Sequence, residues 1–178
     1  MGRNSITEAV ILRSQRFAEY HKRVTLLTDS SGIVDAIAYG AFKSKSKLAG
    51  ITESFTRLRA YLYVDPVKKQ HKLSDGELVA SNDGIRADLK RFYIASIISE
   101  LVQITYAGGD EYVSLFPLID TGFRVLSSAS DRVSDLLLVQ VLIRFFTCIG
   151  YPPPWAECER CGSAIAGSSA RSVSPGGL

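Results

Sequence analysis

The stretch Ser54-Phe55-Thr56-Arg57-Leu58-Arg59-Ala60-Tyr61-Leu62-Tyr63-Val64 alternates without a break between two chemistries. Thr56, Leu58, Ala60, Leu62 and Val64 fall on one side, and Phe55, Arg57, Arg59, Tyr61 and Tyr63 on the other. A period of two sends successive side chains to opposite faces of a strand, so the Leu/Ala/Val side is the natural core face. Shorter segments of the same character surround it at 5–12, 23–28 and 33–42, and from 71 to 73 or a little beyond. Asp29-Ser30-Ser31-Gly32 reads as a turn, and Gly40 as a bulge or bend within its segment. About five short strands linked by turns predict a small closed barrel. Five strands suit an OB-type barrel, although strand number alone does not separate it from an SH3-like one.

Near Ser81 the period changes to 3.6. Ser81-Asn82-Asp83 offers N-cap residues, and Leu89, Tyr93, Ile97, Leu101 and Ile104 then form a ridge at helical spacing, ended by Gly108-Gly109. A second helix is expected over 115–126, with Pro117 tolerated only in its first turn. Asp131 opens a third, in which Val133, Leu137, Val141, Phe145 and Cys148 share a face central to the helical core. Gly150 fits its C′ position, and Pro152-Pro153-Pro154 stops it. The expectation is an α+β chain: a five-stranded OB-type barrel over 1–80, a small helical bundle over 81–155, and a tail over 156–178 with a partial zinc-ribbon half-site.

The net charge of +3 conceals an asymmetry. Residues 1–72 hold thirteen Lys and Arg against six Asp and Glu, an excess of +7, while the remainder carries −4. A basic half suggests a polyanion-facing domain. Lys43-Ser44-Lys45-Ser46-Lys47 places three ammonium groups among hydroxyls, a composition suited to phosphate contact and equally to a solvated loop. On the strand quoted above, guanidinium and aromatic groups share the outer face, the chemistry of single-strand binders. Its aromatics serve interdomain packing equally well. Arg57 and Arg59 are candidate DNA contacts, and Arg13, Arg16, Lys22 and Arg23 would extend the basic surface. Lys68, Lys69 and Lys72 suit protection of an edge strand.

Cys158-Glu159-Arg160-Cys161-Gly162 is a CxxC half-site. It reads as a zinc-ribbon remnant, an inert pair or a redox pair; zinc would require a second ligand pair. No export signal or apolar run of membrane-spanning length is visible, so the expectation is a cytoplasmic protein with no membrane partner. There is no P-loop, G-x-S-x-G, H-E-x-x-H or Rossmann glycine fingerprint, and the expected function is non-catalytic.

In order along the chain stand Val24-Thr25-Leu26-Leu27-Thr28, Gly32, Ala38-Tyr39-Gly40-Ala41, Lys43 with Lys45-Ser46-Lys47-Leu48-Ala49-Gly50, and Phe55 with Leu58. Ala95, Glu100-Leu101, Leu115-Phe116, Ile143-Arg144-Phe145, Gly150-Tyr151, Pro154 and the Cys158/Cys161 pair with Gly162 follow. This pattern resembles the bacterial RecO family. The resemblance implies an OB-fold followed by a helical domain with a zinc ribbon or its degenerate form. It implies binding of single- and double-stranded DNA, strand annealing and help in loading the RecA recombinase, at the nucleoid. It implies RecR and the C-terminal tail of the single-strand-binding protein as partners, with Arg144 a candidate for the tail's carboxylate. Family members continue past Gly176-Gly177 into a second cysteine pair, so the chain is expected to be a C-terminally shortened member or a fragment. The alternative reading is an adaptor whose barrel and bundle dock acidic partner tails without binding nucleic acid.

Overall fold

The computed structural model describes residues 4–43, 45–67, 70–105, 109–110 and 112–152. Five strands come first: β1 (Asn4–Phe17), β2 (His21–Thr28), β3 (Gly32–Ala38), β4 (Arg57–Val64) and β5 (His71–Ala80). They close into a barrel in the order β1-β2-β3-β5-β4. All neighbours are antiparallel except β3 and β5, which meet in parallel at Ala36/His71 and Ile37/Lys72. The expected OB-type barrel is present. β1 and β5 run well beyond the segments expected from alternation, because partners on both sides satisfy their backbone groups where the pattern lapses.

Two apolar clusters explain the alternation. Ala9, Ile11, Val24, Leu26, Ala36, Leu58, Ala60, Leu62 and Leu73 fill the barrel. Val10, Leu12 and Leu27 point the other way, into a cluster shared with the helices. Over Ala9–Leu12, β1 is therefore buried on both faces.

The helical part comprises α1 (Asp83–Arg86), α2 (Leu89–Thr105), α3 (Tyr112–Leu126) and α4 (Asp131–Cys148). Asn82 does not cap a helix with its side chain. It adopts φ 52° and donates its amide to the Phe55 carbonyl at 2.8 Å. Phe55 precedes β4 rather than lying in it. At φ 71° its ring turns inward, 2% exposed, against Phe92 and Phe123. The strained backbone is held by Phe55 N–H to the Ile11 carbonyl (2.7 Å) and Ile11 N–H to the Thr56 carbonyl (2.9 Å). Of the alternatives for this aromatic, packing between barrel and helices is the one realised. Gly84 sits so close to the end of α3 that a Cβ would lie 1.8 Å from the Ser127 carbonyl oxygen, which only glycine permits.

Three helical expectations need correction. α3 begins earlier than the expected 115, so Pro117 lies inside it, on its exposed side. α3, not α4, is the central helix: it buries Leu115, Phe116, Ile119, Phe123 and Leu126, whereas α4 buries only Ser134, Val141 and Phe145. The ridge Leu89, Tyr93, Ile97 and Ile104 is exposed, and Ile94, Ala95, Ile98 and Val102 beside it are buried. α2 is apolar on both stripes, so its periodicity could not say which faces the core. No helix among the described residues is long and apolar enough to cross a membrane.

Candidate nucleic-acid interface

The nine basic residues singled out on the barrel divide by their partners. Arg57 donates to the Asp120 carboxylate of α3 at 2.6 Å, lies 3.5 Å from Glu8, and stacks over Phe116. Arg59 stands between Glu8 (3.0 Å) and Glu77 (3.3 Å), which together raise its already high pKa. Lys22 is buried and donates to Glu53 at 2.6 Å. These three charges are committed to carboxylates, and Arg57 ties the barrel to the helices. Burial raises the Asp120 carboxyl above its ordinary range, an effect that Arg57 beside it only partly offsets.

Arg13, Arg16, Arg23, Lys43, Lys45 and Lys47 are exposed and have no carboxylate partner among the described residues. Strand register gathers several of them. Gln15 pairs with Arg23 and Arg16 with Lys22, so Arg13 and Arg23 look outward while Arg16 and Lys22 turn to the barrel mouth. There both lie over the Phe42 ring, at 5.5 and 5.1 Å from its centroid. Phe42, 46% exposed, is fixed by its N–H to the Tyr20 carbonyl (3.1 Å) and leads directly into the lysine loop.

A belt of rings and cations then passes from strand to strand around the barrel. Phe17 of β1 is paired with His21 of β2 and lies under Arg23, 5.0 Å away. His21 meets Tyr39 edge-on at 4.9 Å. Lys72 of β5 sits 5.7 Å from the Tyr39 ring and 5.5 Å from Tyr63 of β4. Its ammonium, 3.1 Å from Asp65, has a raised pKa because of that hydrogen bond and remains a cation.

Tyr39 is 43% exposed at the centre of the belt. Gly40, at φ 71°, turns the chain so that its N–H reaches His21 Nδ1 at 3.0 Å and the Lys43 stem lies over it. His21, Tyr39, Gly40, Lys43, Lys45 and Ser46 enclose an open pocket of about 360 Å³.

Sequence reasoning found the lysine loop but not this belt, because its members come from four strands and the turn after β3, and only the register brings them together. Tyr61 lies beside Arg59 as expected, and both are held by Glu77: the Tyr61 hydroxyl donates to it at 2.6 Å and the Arg59 guanidinium at 3.3 Å.

On the helical side, Arg144 is exposed in the lining of an apolar groove of about 630 Å³ between α3 and α4, with Leu118, Val125, Leu137 and Val141. No group of His, Cys, Asp and Glu among the described residues is arranged to hold a metal ion, and the Cys158/Cys161 half-site lies outside them.

Comparison with known proteins fits this architecture. The family model described as Recombination protein O N terminal matches residues 1–82, and Recombination protein O C terminal matches 86–178. The chain belongs to the RecO family. RecO proteins similar to it include that of Heliobacterium modesticaldum, 33% identical over 162 residues, covering 89% of this chain and 56% of that protein. That of Desulfosudis oleivorans is 34% identical over 160 residues, covering 88% and 60%. Both bear the name DNA repair protein RecO. The chain thus spans somewhat over half the length of these RecO relatives.

Proposed function

We propose that the chain is a non-catalytic DNA-binding protein of DNA repair and homologous recombination. In this reading it anneals complementary strands and assists recombinase loading on single-stranded DNA. The observation that carries it is the set of six exposed cations without a carboxylate partner among the described residues, on β1, β2 and the lysine loop, in a chain of the RecO family. Cations there displace counterions from the phosphate backbone, which gives affinity without sequence preference. Two strands neutralised on one surface no longer repel each other, which is the physical requirement for pairing them.

RecR and the single-strand-binding protein tail are the proposed protein partners. The α3–α4 groove supports the second: its walls are apolar, and Arg144 would receive a carboxylate. The test is a fluorescence-anisotropy titration of labelled single- and double-stranded oligonucleotides at two salt concentrations. Tight binding that weakens steeply with salt is expected. Failure to bind even at low salt would favour the adaptor that docks acidic tails alone.

A further inference from the structure

We propose that the pocket between Tyr39 and the lysine loop holds one unpaired nucleotide of a DNA single strand, its base against the Tyr39 ring and its flanking phosphates on Lys43 and Lys45. This rests on the DNA-binding reading above and adds to it a means of telling single strands from duplex.

The pocket's volume of about 360 Å³ falls within the range of small-ligand sites. Its chemistry is divided. One side is a half-exposed phenol ring braced edge-on by His21, and the other is a pair of ammonium groups with no carboxylate partner among the described residues. None of its lining residues is an acid. A ligand complementary to both sides has a flat π face and adjacent negative charge, as a nucleotide does.

His21 is held for the same purpose. Its Nδ1 accepts the Gly40 N–H at 3.0 Å, so the neutral ring carries its hydrogen on Nε2, a donor for an acceptor on a ligand. A base inside a duplex is stacked on both faces and hydrogen-bonded at its edge. It could reach Tyr39 only by leaving the stack, whereas an unpaired base arrives without that cost.

The experiment compares three ligands at one low salt concentration: a thymidine strand, an abasic strand of equal length and charge, and a duplex. Wild-type protein is expected to bind the thymidine strand about tenfold more tightly than the abasic one, the effect of a single stacked base. Tyr39→Ala should abolish that difference and leave duplex affinity within about twofold, while Tyr39→Trp should keep it. Equal wild-type affinity for thymidine and abasic strands would overturn the pocket while leaving DNA binding by the barrel intact. Equal weakening of single strand and duplex by Tyr39→Ala would overturn it too. If wild-type protein bound none of the three, the DNA-binding reading itself would fall, and the pocket with it.

Discussion

Arg59 of β4 and Arg23 of β2 are both exposed arginines on the outer wall of one barrel. Arg59 is bracketed by Glu8 and Glu77, whereas Arg23 lies over the Phe17 ring and has no carboxylate partner among the described residues. The same contrast separates the two sides of the fold. On the β4 side, carboxylates from β1, β5 and α3 neutralise every arginine of the strand. On the side of β2 and the lysine loop, Glu53 neutralises Lys22, but rings rather than carboxylates lie beside Arg16 and Arg23 among the described residues, and their positive charge stays available. The lesson is that a basic count locates a domain but not a surface. Which cations face a polyanion depends on where the neighbouring carboxylates fold.

The largest expected effect comes from the loop. Replacing Lys43, Lys45 and Lys47 together with Gln should weaken binding of single-stranded DNA about a hundredfold at low salt. The urea midpoint should stay unchanged, as these side chains are solvated. Arg57→Ala should do the reverse. It leaves Asp120, whose side chain is 14% exposed, without its closest cation, and should cost about 2 kcal/mol in urea unfolding. Its DNA affinity should remain near that of the wild type.

A smaller effect belongs to Asp120 itself. Its folded-state pKa lies above the ordinary 3.8, so the native state holds the proton more tightly than the unfolded chain does. Asp120 therefore adds stability as pH falls through its folded pKa toward 3.8, and that contribution is lost as pH rises back through it. Urea unfolding across this window should show Asp120→Asn lacking the component. Smallest of all, Arg59→Ala should leave the urea midpoint essentially unchanged, since its pairs are solvent-exposed. Anisotropy should find its DNA affinity altered by no more than about twofold if the carboxylates already neutralise it.

The barrel was legible because β4 alternates cleanly and its Leu/Ala face is the interior. The inward turn of Phe55 was not, since a positive φ at a non-glycine residue is imposed by tertiary contacts, here with Ile11 and Asn82. The lysine loop was legible because its charges lie close together in sequence. The belt through Phe17, His21, Tyr39, Lys72 and Tyr63 was hidden, as residues drawn from four strands and a turn leave no linear motif. The pairing of Arg57 with Asp120 spans 63 positions and depends on how α3 packs.

The most direct test of the contrast is the salt dependence of single-strand binding in three proteins: wild type, the Lys43/Lys45/Lys47→Gln variant and an Arg57/Arg59→Gln variant. With six uncommitted cations, the wild-type slope of log K against log salt should be about −4. The loop variant should flatten it by about 2, and the β4 variant should leave it unchanged. A slope that the β4 variant flattens and the loop variant does not would contradict the account.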